Sequence, residues 1–261
     1  MKTKKSPKVY AIFIAYNAER TLKPFYKNFP KKYFNKLILV DDASTDRTYT
    51  IAKKLPNLLS YNNKKNLGYG GNLKRALKLA LSGDADIIVD IHPDGEYKTS
   101  SIPEALKKIS DGHEFVLGNR FSRDDRPWKT GMYFWKILPI MSLNLLHRAI
   151  LGLPITDYHQ GFRVYTKSML EKINYNNNSN NYLFSFELLA QAAFHHIKTT
   201  QVPVETNYEG KKRGASFKNS IKYSMSTFPV VGYYLLAKLG YKTKLFAIKR
   251  KKQTREEKPN Q

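Results

Sequence analysis

Residues 87–97, IIVDIHPDGEY, constrain the fold more than any other stretch of the chain. An apolar, β-branched run stops at the imidazole of His92, and the carboxylates of Asp94 and Glu96 follow at spacings of two. Pro93 and Gly95 lie between them and break the strand into a turn. Such a run reads as a buried strand, and the carboxyl ends of buried strands are where open α/β sheets hold their ligands. His92, Asp94 and Glu96 alternate, so an extended chain would aim all three side chains at one cation. An imidazole with two hard oxygen ligands suits Mn²⁺ or Mg²⁺, a nucleotide's phosphates completing the shell. A strand followed by a solvated polar turn is the plainer alternative.

The rest of the chain repeats the strand-then-helix pattern. Strands are expected at 9–16, 36–40, 58–61, 87–91 and 114–118, with helices near 48–55, 69–81 and 103–110 and another after Asn17, a candidate cap. Strands alternating with helices of this length imply a parallel sheet built from βαβ units. A dinucleotide-binding fold is excluded. The turn after the first strand, Tyr16-Asn17-Ala18-Glu19, has no glycine to admit a pyrophosphate, and the loop at 66–72 lacks the G-x-G-x-x-G spacing. A P-loop is absent too.

The 261 residues can bury a full core. A formal charge of +24 favours anionic partners, although Lys and Asn are abundant enough that compositional drift contributes. No zinc-finger spacing or RNP-like strand accompanies the charge, so phosphate ligands or an anionic membrane face fit better than nucleic acid. The absence of cysteine removes disulfides and thiolate metal sites. No signal peptide and no spanning helix are expected.

Seven motifs occur in one order: AYNAE (15–19), LVDDASTDRT (39–48), NLGYGGNLKRAL (66–77), DIHPDGEY (90–97), GNR (118–120), DYHQGFRVY (157–165), and FSFELL (184–189) with VPVETNYEGKKRGAS (202–216). Together they resemble the family 2 glycosyltransferases, closest to the branch of dolichyl- and polyprenyl-phosphate sugar transferases. The resemblance implies a GT-A fold, an α/β nucleotide-sugar-binding domain with a mostly parallel central sheet flanked by helices. It further implies that Tyr16, Asn17, Glu19, Asp42, Asn66 and Gly68 line the nucleotide site, with the glycine loop passing close under the nucleotide. His92 stands at the first Asp of the usual D-x-D motif and Glu96 at a position often held by Gln; Asp94 is retained. A first-turn acid and a structural Asp41 are the plainer readings of Glu19 and its surroundings. Asp46 reads as a helix cap, and Asp90 as a buried strand-end acid paired with a lysine.

Arg120, Arg163, Arg213, Ser216 and Lys218 are implied as the acceptor and phosphate grip, with Arg123, Arg126 and Lys129 as further candidates by position. Guanidinium groups suit bidentate phosphate binding. If the acceptor is a sugar hydroxyl, Asp157 and then Glu187 are the candidate general bases. A lipid phosphate is already anionic and needs none.

Two apolar-basic stretches, 132–153 and 221–245, are too interrupted to span a bilayer, yet they can lie in an anionic leaflet. The expected organisation is a basic tail (1–8), a GT-A domain (9–218), an amphipathic, membrane-associating helical appendage (219–247) and a basic disordered tail (248–261). The activity implied is inverting, metal-dependent transfer from a nucleotide diphosphate sugar to a polyprenyl phosphate, at the inner face of the cytoplasmic membrane. Transfer to a glycan hydroxyl in cell-envelope synthesis, or a catalytically silent nucleotide-sugar binder, are the alternatives.

Overall fold

Alternate residues of strand β1 (Val9–Ala15) enter opposite cores: Tyr10, Ile12 and Ile14 one, Ala11, Phe13 and Ala15 the other. This period of two is what a strand covered on both faces requires. The same division recurs in β2 (Lys36–Asp41), where Ile38 and Val40 oppose Leu37 and Leu39. It recurs again in β4 (Ile87–Asp90), where Ile88 opposes Ile87 and Val89. The computed structural model describes residues 6–122, 132–207 and 217–247.

Seven strands form the sheet, adding β3 (Leu58–Asn62), β5 (Phe115–Asn119), β6 (Arg163–Thr166) and β7 (Thr199–Pro203). Their order is β3-β2-β1-β4-β6-β5-β7. All pairings are parallel except those of β6, which runs antiparallel to both β4 and β5. The mixed α/β, mostly parallel sheet agrees with the sequence; the inserted antiparallel strand was not anticipated.

On one face lie α1 (Glu19–Asn28) and α4 (Ile102–Ser110), with Phe13 edge-on to Phe25 and Phe29 at centroid distances of 5.3 and 4.9 Å. On the other lie α3 (Tyr69–Ser82), α6 (Lys167–Lys172) and α7 (Phe184–Phe194). The short α2 (Thr48–Lys53) packs beside β3. Two longer helices, α5 (Phe134–Leu151) and α8 (Phe217–Lys238), pack on α7. Val230, Val231, Tyr234 and Ala237 of α8 enter the same core as α3 and α7, so this helix is built into the domain rather than hung from it.

Candidate active site

Strand order reverses between β2-β1 and β1-β4, and a crevice outside the carboxyl ends of these strands is where such sheets bind ligands. Ala15 pairs with Asp41, and Ile12 with Asp90, so the segments after β1, β2 and β4 meet there. One strand, β1, separates β2 from β4, so the ends from which Asp42 and the Asp94 turn continue are about 10 Å apart at ordinary strand spacing. Tyr16 follows β1 and stands half exposed over this edge.

Asp42 is buried, and its Oδ1 accepts from Asn63 Nδ2 (2.6 Å) and the Leu67 amide (2.8 Å). Oδ2 takes no hydrogen bond among the described residues, which leaves one acceptor for a nucleoside N–H or O–H. Asp41 instead folds back on the Ser44 amide (3.1 Å) and hydroxyl, and burial raises its pKa against those bonds. Asp46 accepts from the Thr48 amide (2.9 Å) and the Glu19 amide (3.1 Å), so it caps the starts of both α2 and α1. Asn17, the cap of α1 expected from sequence, does not cap it; Ala18 precedes the helix and gives no side-chain cap. Asn17 has a left-handed backbone (φ 51°), and its Oδ1 accepts from the Thr45 amide at 2.9 Å. The Glu19 carboxylate reaches the Arg47 amide (3.0 Å), a bond that lowers its pKa, and ties the two loops together.

The glycine loop serves a different neighbour from the one expected. Asn66 Oδ1 turns onto the Gly68 amide (2.9 Å), where φ is +77°. The group that comes close is the backbone of residues 179–181: the Asn180 carbonyl accepts from the Gly70 (2.8 Å) and Gly71 (3.2 Å) amides, capping α3. The asparagine-rich loop at 174–181 therefore occupies the N-terminus of α3, where a helix otherwise offers its free amides to a phosphate. Glu187 holds that loop, with Ser179 donating to both carboxylate oxygens (Oγ to Oε1, 2.6 Å). Its expected role as a base gives way to this one. A Cβ on residue 70 would lie 2.7 Å from Phe184 Cβ and against the Ser179 carbonyl. Gly70→Ala is thus expected to cost about 1–3 kcal/mol through overpacking, read as a lowered Tm.

The turn after β4 also departs from expectation. The strand ends at Asp90, and Gly95 has φ +80°. Asp94 Oδ1 accepts from the Glu96 amide at 2.9 Å, folding the chain so that the alternation of His92, Asp94 and Glu96 is lost. No three His, Asp or Glu side chains gather as a metal cluster among the described residues. The Glu96 charge acts on Lys136 of α5, opposing the lowering of that lysine's pKa by burial. Two donors remain, the His92 ring and the second oxygen of Asp94. That set fits a hard divalent ion that takes the rest of its shell from diphosphate and water.

Arg120 and Asp157, expected as phosphate grip and base, satisfy each other. Arg120 Nε lies 2.7 Å from Asp157 Oδ2 and its second terminal nitrogen 2.8 Å from Oδ1, both residues being buried. Burial opposes the Asp157 charge, but the guanidinium holds its pKa below the usual carboxylate range. A carboxylate so held is a poor base. Arg163 is also buried, donating to the Tyr69 hydroxyl (3.2 Å) and the Gln160 carbonyl, and so does not face an acceptor. Lys218 is exposed at the start of α8, whereas Arg213, Ser216, Arg123, Arg126 and Lys129 lie outside the described residues.

Two features escaped the sequence reading. Lys136 is buried on α5, its Nζ 5.3 Å from the Tyr133 ring centre and 5.1 Å from that of Trp135. Burial lowers its pKa and Glu96 opposes that shift. The only signal was a lysine inside an aromatic-apolar run. The second is a part-buried chain of three groups: Tyr223 of α8 contacts His159 Nδ1 (3.0 Å), and His159 Nε2 contacts the buried His147 of α5 at Nδ1 (3.2 Å). The His159 carbonyl accepts from Arg120 (2.8 Å), which joins both long helices to the ion pair.

Burial pushes His147 down to about 4 and His159 to about 3, with His147 also lowering the latter. In the unfolded chain both rings take up protons near about 6.5, so the unfolded state binds more protons below that pH. Stability is therefore expected to fall as pH drops from about 6.5 toward the folded-state values. His147→Gln should move the acid-unfolding midpoint, followed by circular dichroism, to lower pH.

The fold and the strand-end crevice define a GT-A glycosyltransferase. The family model for "Glycosyl transferase family 2" matches residues 10–174, and the chain belongs to that family. A UDP-N-acetylglucosamine–dolichyl-phosphate N-acetylglucosaminyltransferase from Methanococcus voltae is 28% identical over 217 residues, covering 77% of this chain and 86% of the relative. A dolichyl-phosphate beta-glucosyltransferase from Trichomonas vaginalis is 25% identical over 255 residues, covering 88% and 75%. These relatives carry names from the branch the motifs resembled. Among solved structures, glucosyl-3-phosphoglycerate synthase from Mycobacterium tuberculosis, in complex with Mn²⁺, UDP and glucosyl-3-phosphoglycerate, has a TM-score of 0.64 at 16% identity. That match covers 92% of this chain and 82% of the other.

Proposed function

We propose that this glycosyltransferase moves a sugar, with inversion, from a nucleotide diphosphate sugar to a lipid phosphate of the polyprenyl type at an anionic membrane surface. Mn²⁺ or Mg²⁺, when bound, neutralises the developing charge on the leaving diphosphate. Asp94 and His92 would hold it, and Asp42 would orient the nucleoside.

The observation carrying the acceptor assignment is the exposed apolar face on the two long helices α5 and α8 among the described residues. On α8, Ile221, Met225, Phe228 and Leu235 are exposed at helical spacing, with Leu239 just past its end, and on α5 Leu138, Met141 and Leu145 are likewise exposed. No helix among the described residues is long and apolar enough to cross a membrane. An amphipathic stripe with lysines around it lies in an interface instead.

The two candidate bases support the same choice. Asp157 is held by Arg120 and Glu187 by Ser179, so neither is poised to deprotonate a hydroxyl. A phosphate oxygen needs only positioning. Assay of a nucleotide-sugar panel with a polyprenyl phosphate and with free sugar acceptors tests the reading; product only on sugar hydroxyls would overturn it. For the surface, flotation with anionic vesicles is expected to recover the chain at low salt, less so at high salt. Leu145→Glu with Met225→Glu should abolish recovery without lowering Tm by more than a few degrees.

A further inference from the structure

Asp90 ends β4 wholly buried, and its Oδ2 accepts from the Tyr165 hydroxyl at 2.9 Å. Its Oδ1 has no hydrogen-bond partner. Facing it at 3.9 Å is His92 Nε2, also buried and without a partner. Among the described residues no lysine pairs with this acid, although the sequence suggests one. The charged group across the strand pair is Arg163, whose hydrogen bonds go to Tyr69 and to backbone carbonyls.

Were Nε2 a bare lone pair, two buried acceptors would face each other, each at about 1–3 kcal/mol for an unmade bond. With Nε2 carrying the proton, a ring movement of about 1 Å completes a charge-assisted hydrogen bond. The ring has few other ways to turn. Tyr69 packs edge-on at 5.4 Å, and a Cβ on Gly161 would sit 3.5 Å from His92 Cε1.

We propose that Asp90 is a positioning residue that fixes His92 as the Nε2–H tautomer and leaves Nδ1 as the nitrogen able to ligate the divalent ion. This rests on the divalent-ion reading above. Ligating histidines commonly have such a carboxylate behind them, and its loss weakens metal binding by about 10–100-fold.

The test uses the full chain labelled with ¹⁵N. Long-range ¹H–¹⁵N correlations, with His92→Asn to assign the signal, are expected to show the Nε2–H form in the wild type. Asp90→Asn should abolish that preference and weaken Mn²⁺ binding about 10–100-fold, read by electron paramagnetic resonance with UDP as the probe nucleotide. UDP binding without metal should be unchanged. Tyr165→Phe, which removes the other partner of the same carboxylate, should leave the tautomer and Mn²⁺ affinity as they are. An Nδ1–H tautomer in the wild type overturns the proposal even if Asp90→Asn does not fold. So does unchanged Mn²⁺ affinity in Asp90→Asn where Asp94→Asn abolishes binding. If Asp94→Asn also keeps Mn²⁺ affinity, the divalent-ion reading itself fails.

Discussion

Arg120→Ala is expected to cost about 3–5 kcal/mol of folding stability, because it strands the buried Asp157 carboxylate with no compensating charge. For a domain of this size that is a fall in Tm on the order of 10 °C. Asp157→Ala should cost a similar amount by stranding the guanidinium. The double variant should cost less than the two single ones added together, since it leaves neither charge alone. Thermal unfolding of the four proteins measures the coupling. An arginine used only to grip an acceptor phosphate would behave otherwise: Arg120→Ala would keep its Tm and lose acceptor affinity alone. The geometry favours the first outcome, with both guanidinium–carboxylate contacts under 2.9 Å and the His159 carbonyl as a further acceptor. Any loss of transfer in Arg120→Ala should then track loss of folded protein.

The contrast between those outcomes shows what a sequence carries and what it omits. Strands β1, β2 and β4 were legible because burial on both faces writes long β-branched runs. The helix from Tyr69 was legible because glycines precede a periodic apolar pattern. Strand β6 was not, since its four residues, Arg163–Thr166, are too short to announce themselves, and alternation says nothing of direction. At the site, residue types were readable and orientations were not. Arg120 and Asp157 lie 37 positions apart, and only the antiparallel insertion of β6 brings their loops together. The glycine loop was expected to pass close under a nucleotide, but the group that approaches it, the Ser179–Asn181 backbone, was hidden in a loop with no pattern. Pro93 and Gly95 did announce a turn. Its consequence, the loss of the His92–Asp94–Glu96 alternation, depends on the Asp94 carboxylate turning back onto the Glu96 amide, which the spacing does not show.

Asp94→Asn is expected to lower kcat by about 10³-fold, equivalent to about 4 kcal/mol of transition-state stabilisation. The substitution keeps the side-chain oxygen that accepts from the Glu96 amide, so the turn should persist and Tm should change little. What it removes is the charge offered to a divalent ion. Thermal shift provides the second measurement. A ligand at 100 times its Kd stabilises the folded state by about 2.7 kcal/mol, and Mn²⁺ with a nucleotide diphosphate should lose that increment in the variant. Glu187→Gln is the informative contrast, because its carboxylate already serves Ser179 and lies outside the ion's reach in this reading. It should lose stability through a weakened loop anchor while its Mn²⁺ dependence stays intact. If Asp94→Asn transferred sugar at the wild-type rate with undiminished Mn²⁺ response, the ion would have to be held elsewhere, and the crevice between β1 and β4 would lose its claim to the chemistry.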